Sequence, residues 1–202
     1  MEQHQLSEKA LWENVVAMFG EKQKCFGPAT TFSTLQHPQR LASVLSCYKF
    51  IAKMACQGKR VIEFDCGEGM GAPFLMEGAS SYLGVDSDPA AIASAKGNWA
   101  TEKSSFLADE FLNKSYGHFD TVVWRNPSGG TAFHPTVYNN LAVEGVCCVT
   151  TVAGKTEEIP IYKAMKALFF TVLPFSMMHT SMQSGLHAAA HHFLFVGCYK
   201  RA

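Results

Sequence analysis

Carboxylates and glycines at fixed offsets are the residues of this sequence best placed to do chemistry. Val61-Ile62-Glu63-Phe64 is a short apolar run that breaks at Asp65-Cys66-Gly67-Glu68-Gly69-Met70-Gly71 into a loop with glycine at alternating positions. Glycine lets a backbone turn tightly and lets its amides approach a ligand closely, which is how a parallel strand meets a nucleotide at its carboxyl end. A second apolar run, Ser81-Tyr82-Leu83-Gly84-Val85-Asp86, ends in an acid. It lies about 20 residues after the loop, the offset at which a carboxylate accepts both hydroxyls of a ribose. The competing reading is a βαβ unit with an ordinary tight turn and a solvated aspartate. Strand, loop and acid occurring together favour cofactor binding.

The histidines offer a second chemistry. His187, His191 and His192 have a spacing that suits a metal on a helix face. No third set of ligands accompanies them, and Gly185 with Ala188-Ala189-Ala190 reads as a loop leading into a strand, so no metal is expected. His179 and His191 lie at the ends of two β-rich runs, where a histidine titrating near neutrality serves as a general base. The alternative for each is a hydrogen-bonded structural histidine. Arg125 pairs either with an acidic substrate or with a surface carboxylate.

Composition bounds the scaffold that must hold these groups. At 202 residues, 48% hydrophobic and 17% charged, the chain buries one sizeable core and is too short for two full domains. Lysine plus arginine equals aspartate plus glutamate at 17 each, so no net field draws it to a phosphate polymer or an anionic membrane. No nucleic-acid and no membrane partner is therefore expected. Met1-Glu2-Gln3-His4 lacks the basic and apolar regions of a secretory leader, which points to the cytoplasm. The seven cysteines contain no C-x-x-C pair and fall mostly in apolar runs, as reduced core residues do.

Strand and helix patterns alternate after an N-terminal helical preface. Leu11, Val15, Met18 and Phe19 recur at helical spacing, Gly20 and Gly27-Pro28 break the chain, and a second helix is predicted over 37–56. Strands follow at 60–64, 81–86, 105–107, 119–124 and 145–152. Asp88-Pro89 opens a helix through about residue 100, and further helices are predicted over 134–142 and 157–170. Two β-rich runs, 171–178 and 192–199, close the chain. This implies an α/β fold: a doubly wound, mostly parallel sheet with an antiparallel C-terminal strand. Residues 1–35 are expected to form a helical lid or appendage, and 36–202 the Rossmann-like domain. The competing role for the preface is cover for an exposed sheet edge or helix face.

Glu63-Phe64-Asp65-Cys66-Gly67-Glu68-Gly69, Gly84-Val85-Asp86 and Ala108-Asp109 resemble the first three cofactor motifs of class I S-adenosylmethionine-dependent methyltransferases. Gly27-Pro28, the segment 37–41, the segment 48–54, Phe175-Ser176-Met177 and the segment 190–195 resemble a bacterial and phage branch of that superfamily, linked to small-molecule or surface-sugar methylation. The resemblance implies S-adenosylmethionine as cofactor and a site made of Glu63, Asp65, Gly67, Gly69, Asp86, Ser87, Asp109 and Trp124. In it, Glu63 faces the amino-acid portion, Gly67 and Gly69 pass beneath methionine and ribose, and Asp86 holds the ribose hydroxyls. Asp109 either accepts from the adenine amino group or caps a helix at Phe111-Leu112.

Two departures bear on activity. Relatives have glycine where this chain has Asp65, so a side chain either occupies the place of closest backbone approach or faces the sulfonium or α-amino group, where Coulomb attraction favours it. A shifted register, Asp65-x-Gly67-x-Gly69-x-Gly71, would lengthen the first strand by two residues. After the fourth strand the chain reads Trp124-Arg125-Asn126-Pro127-Ser128-Gly129-Gly130. Asn126-Pro127 is similar to the opening of the Asn-Pro-Pro-aromatic motif of amino-group methylases. The match stops at Ser128, which favours an Asn-Pro turn. His179, His191 and Asn126 are the candidate catalytic residues. The expected function is methyl transfer to oxygen or nitrogen of a small acceptor; the alternative is a catalytically silent methyltransferase-like scaffold.

Overall fold

The computed structural model describes residues 7–20, 23–126, 133–152, 160–178, 181–187, 190 and 192–201. Its strands are β1 (Arg60–Phe64), β2 (Ser81–Asp86), β3 (Ser104–Ala108), β4 (Phe119–Asn126), β5 (Leu141–Val152), β6 (Phe169–Met178), β7 (Ser181–Ser184) and β8 (His192–Lys200). They form one eight-stranded sheet in the order β3-β2-β1-β4-β5-β8-β6-β7. The first five strands pair in parallel. β8 runs antiparallel between β5 and β6, and β7 pairs antiparallel with β6 at the edge. The fold is the α/β, doubly wound, mostly parallel sheet that the alternation predicts. The short edge strand β7 is an addition to it.

Strand side chains alternate between two covered faces, which is why these strands read as continuous apolar runs. Val61, Val123, Cys148 and Leu194 enter one core cluster. Their chain neighbours Ile62, Val122, Cys147 and Phe193 enter the other. Helices α3 (Pro38–Ile51), α4 (Ala72–Leu75) and α5 (Pro89–Trp99) cover the first face. Helices α6 (Pro135–Asn139) and α7 (Pro160–Leu168) cover the second. Proline opens α3, α5 and α6, where its fixed φ suits the first turn and its missing N–H costs nothing. Asp88 caps α5 by accepting from the Ala90 amide at 2.8 Å.

Two features before β1 differ from expectation. A separate helix α2 (Pro28–Gln36) precedes α3, so the boundary expected after residue 35 falls inside its last turn. The predicted helix over 37–56 is α3 prolonged by a π-helical turn, Ala52–Cys56, whose Ala55 carbonyl accepts from the Thr121 hydroxyl at 2.5 Å. Helix α1 (Glu8–Phe19) leaves Leu11, Trp12, Val15, Val16 and Met18 between 42% and 67% exposed, so these residues do not cover the sheet. All seven cysteines are free thiols. Among the described residues no helix is long and apolar enough to cross a membrane.

Candidate functional site

The sheet order reverses at β1, where the chain winds outward through β2 on one side and β4 on the other. Open α/β sheets bind ligands in the crevice at such a point, outside the carboxyl ends of the strands. Here that crevice is a cavity of about 460 Å³. Gly67, Asp86 and Asp88 line one end, and Arg125, Thr150 and His192 line the other. α2 and α3 roof it with Thr30, Ser33, Leu41, Val44 and Tyr48.

β1 ends at Phe64, so the glycine loop begins at Asp65 and the shifted register is not the one adopted. The backbone is left-handed at Asp65 (φ 56°), Gly67 (φ 55°) and Gly69 (φ 75°). A Cβ at Gly69 would lie 2.9 Å from the Trp99 ring, so the loop packs on α5 only with glycine there. At Gly67 a Cβ would meet nothing within 4 Å, leaving room above the loop. Asp86 shapes the loop: its Oδ2 accepts from the Gly67 amide at 2.7 Å and its Oδ1 from the Asp88 amide at 2.9 Å. A carboxylate has about four acceptor sites, so each oxygen retains capacity for a ligand hydroxyl.

Glu68 joins the loop to the roof. It is 6% exposed, and its two oxygens accept from the Ala29 and Thr30 amides at 3.1 Å each, at the N-terminus of α2. A carboxylate is stabilised there by otherwise unsatisfied amides and the helix dipole. Upstream of α2, Asn98 on α5 exchanges bonds with Cys25, accepting from its amide at 3.0 Å and donating to its carbonyl at 2.7 Å. The roof is thus tied to the glycine loop and to α5.

Glu63 is fully buried, and its oxygens accept from the Tyr48 hydroxyl at 2.5 Å and the Tyr82 hydroxyl at 2.6 Å. Burial pushes its carboxyl up to about 7, against the opposing pull of the two phenols and Arg125. Tyr48 passes its ring along the loop at Gly71, where a Cβ would lie 2.3 Å from the ring. Tyr48, Glu63 and Asp86 together hold the Arg125 guanidinium above its ordinary pKa.

The remaining residues expected at the site are distributed differently. Asp65 turns to Trp124, accepting from its indole N–H at 2.8 Å, and burial raises its pKa. The Trp124 ring packs in the far-face core with Phe133, centroids 6.1 Å apart. Neither lines the cavity. Asp109 is held by the Lys114 ammonium and by the Tyr116 hydroxyl at 2.8 Å, the Lys114 bond first in lowering its pKa. No helix begins at Phe111, so the capping alternative for Asp109 is corrected: its partners are the Lys114 and Tyr116 side chains and the Glu110 amide. Ser87 is exposed beyond β2. Asn126 ends β4 opposite Thr151, but its side chain lies outside the described residues, as do His179 and His191.

Sequence reasoning did not single out Glu68 as a tie to α2 or Tyr48 as the partner of Glu63. Tyr48 sits 15 positions from Glu63, and Glu68 lies 39 from Ala29, distances at which no local pattern registers.

No family model matches the sequence. A ribosomal protein L11 methyltransferase of Janthinobacterium sp. is 32% identical over 101 residues, 48% of this chain and 31% of that protein. The chain spans less than a third of the length of the curated relatives it matches. Among solved structures, a TehB-like SAM-dependent methyltransferase from Corynebacterium glutamicum aligns with a TM-score of 0.63 at 18% identity, covering 86% of this chain and 100% of that one. Magnesium protoporphyrin IX methyltransferase from Synechocystis, solved with bound SAM, aligns with a TM-score of 0.57 at 12% identity, covering 98% of this chain and 100% of its own. The chain shares the fold of these proteins.

Proposed function

We propose that this protein is an S-adenosylmethionine-dependent methyltransferase of a small acceptor. The observation that carries this reading is one roofed cavity that runs from the Gly67–Asp86 end of the sheet, across β4, to Thr150 and His192. The fit to the cofactor rests on the open room above Gly67 and the spare acceptor capacity of Asp86 beside it. Asp86 would hold the ribose hydroxyls, Gly67 and Gly69 would carry the chain of the cofactor past the loop, and Ser87 would border the ribose. Glu63 would act beneath the loop by fixing Tyr48 and Tyr82, and Asp65 by holding the strand-to-loop corner through Trp124. Asp109, just after β3, would border the adenine side, sharing its carboxylate with Lys114, whereas Trp124, buried in the far-face core, would act only through its bond to Asp65.

The cofactor supplies an electrophilic methyl on a sulfonium. The chain's part is to orient an acceptor in line with that methyl and to exclude water, which orientation and a closed roof accomplish without a strong base. α2 and α3 provide the roof, and the Glu68 tie holds α2 down. Asn126, His179 and His191 adjoin the ends of β4, β6 and β8 in sequence and are the proposed proton acceptors at the acceptor end. A cavity of this size within a roof suits a small acceptor, being within the ~300–1,000 Å³ range of ligand pockets.

Incubation with methyl-labelled cofactor and separate pools of small molecules, ribosomal protein and transfer RNA tests this. Label is expected in the small-molecule pool. Transfer to protein or RNA alone would contradict the acceptor class.

A further inference from the structure

The acidic and basic side chains of the cavity come from different elements. Its carboxylates, Glu68, Asp86 and Asp88, come from the β1 loop, the end of β2 and the turn after it. Its guanidiniums, Arg40 and Arg125, come from α3 and β4. Arg125 pairs in register with Thr150 on β5, so a guanidinium and a hydroxyl project from adjacent strands into the same cavity. Among the described residues no carboxylate forms an ion pair with Arg125. Glu63 and Asp86 act on Arg125 through their charge without an ion pair to it. A guanidinium has five donors in a planar fork that matches an oxyanion, and Tyr48 occupies only part of it. The wall on this side is apolar, made by Phe32, Leu41, Val44 and Cys47. A half-buried cation beside apolar walls gains most from an anion that shares its desolvation.

We propose that the acceptor is a small molecule with an apolar body and an oxyanion, a carboxylate or a phosphate, which Arg125 holds and Arg40 attracts from the cavity's edge. This rests on the methyltransferase reading above and names the substrate class of the same cavity. The anion would sit across the β4–β5 register from the carboxylates of the cofactor end, which orients the rest of the acceptor back toward Gly67.

Calorimetric titration of the protein saturated with S-adenosylhomocysteine tests the proposal, with benzoate, phenyl phosphate and uncharged benzamide as probes, in the wild type and in Arg125→Gln. At least one anion is expected to bind tenfold or more tightly than benzamide, and the tighter of the two identifies carboxylate or phosphate. Arg125→Gln is expected to remove that preference while S-adenosylhomocysteine affinity stays within about threefold. Equal binding of the three probes to the loaded wild type would overturn the proposal without any variant having to fold. A folded Arg125→Gln protein that keeps the anion preference would overturn it too. So would one that loses tenfold in S-adenosylhomocysteine affinity but none for 5′-methylthioadenosine, because Arg125 then holds the cofactor's own carboxylate. A wild type that binds no S-adenosylhomocysteine is a separate failure, that of the methyltransferase reading itself. The three probes are then compared on the unloaded protein, where equal binding again overturns the anion class.

Discussion

Asp65 adopts a left-handed φ of 56° at the strand-to-loop corner. A Cβ in that conformation crowds the following carbonyl and costs roughly 1–2 kcal/mol, less for aspartate than for most residues. Its carboxylate offsets this by accepting from the buried Trp124 indole. Asp65→Gly relieves the backbone but leaves that N–H unsatisfied, a loss of about 1–3 kcal/mol. Asp65→Ala suffers both penalties. Urea unfolding is therefore expected to rank the glycine variant above alanine by about 1–2 kcal/mol, with cofactor affinity of Asp65→Gly unchanged. Loss of binding in a folded Asp65→Gly protein would make Asp65 a direct ligand. Glu63 gives a pH signature. Its folded pKa of about 7 lies above the ordinary carboxylate value of 4.5. Across that window the native state keeps a proton that the unfolded chain has lost, so this group's contribution to stability falls as pH rises from 4.5 to about 7. Glu63→Gln removes that dependence. The unfolding free energy of the variant relative to wild type, from urea melts, should climb between pH 5 and pH 8, by an amount on the order of 3 kcal/mol at most. A pH-independent difference would show that Glu63 is not protonated in the fold.

At the scale of elements, the segment before β1 divides into two parts with different roles. α1 leaves its apolar residues largely exposed, whereas α2 roofs the cavity and is held by Glu68. Deleting residues 1–22 should leave melting temperature and cofactor affinity nearly unchanged. Deleting 1–35 removes α2 and should reduce cofactor affinity more than it reduces melting temperature; loss of a cooperative transition would make α2 part of the core. Glu68→Ala uncaps α2 at a cost of about 0.5–2 kcal/mol, and trypsin should cut faster at Lys24 and Arg40 than in wild type. An unchanged cleavage rate would mean that α2 is held by other contacts. α2 illustrates where sequence reading stops. PATTFSTLQ carries three threonines and a weak apolar pattern, so nothing local marks a helix. Its order comes from a carboxylate 38 and 39 positions away. By contrast β1, β2 and the start of α5 fall where the sequence places them, because an apolar run broken by glycine and an Asp-Pro cap are local patterns.

At the scale of the molecule, the reversal of strand order at β1 gathers the loop, Asp86 and Arg125 at one crevice although they are spread over 60 positions. Alternating strand patterns made the sheet legible, and the glycine pattern and following acid placed the β1 loop and Asp86, which the structure joins by a hydrogen bond at the crevice. The far end of the cavity was not, since Arg125, Thr150 and His192 meet only through pairing of β4, β5 and β8. The account depends on that crevice holding S-adenosylmethionine through Asp86. Two charge-assisted hydroxyl bonds to one carboxylate are together worth at least about 1.5–3 kcal/mol, tenfold or more in affinity. The most direct test is calorimetric titration of S-adenosylmethionine into the wild type and Asp86→Ala. Saturable one-to-one binding by the wild type, weakened tenfold or more in the folded variant, is the predicted result; no binding by the wild type, or equal affinity in both proteins, would contradict it.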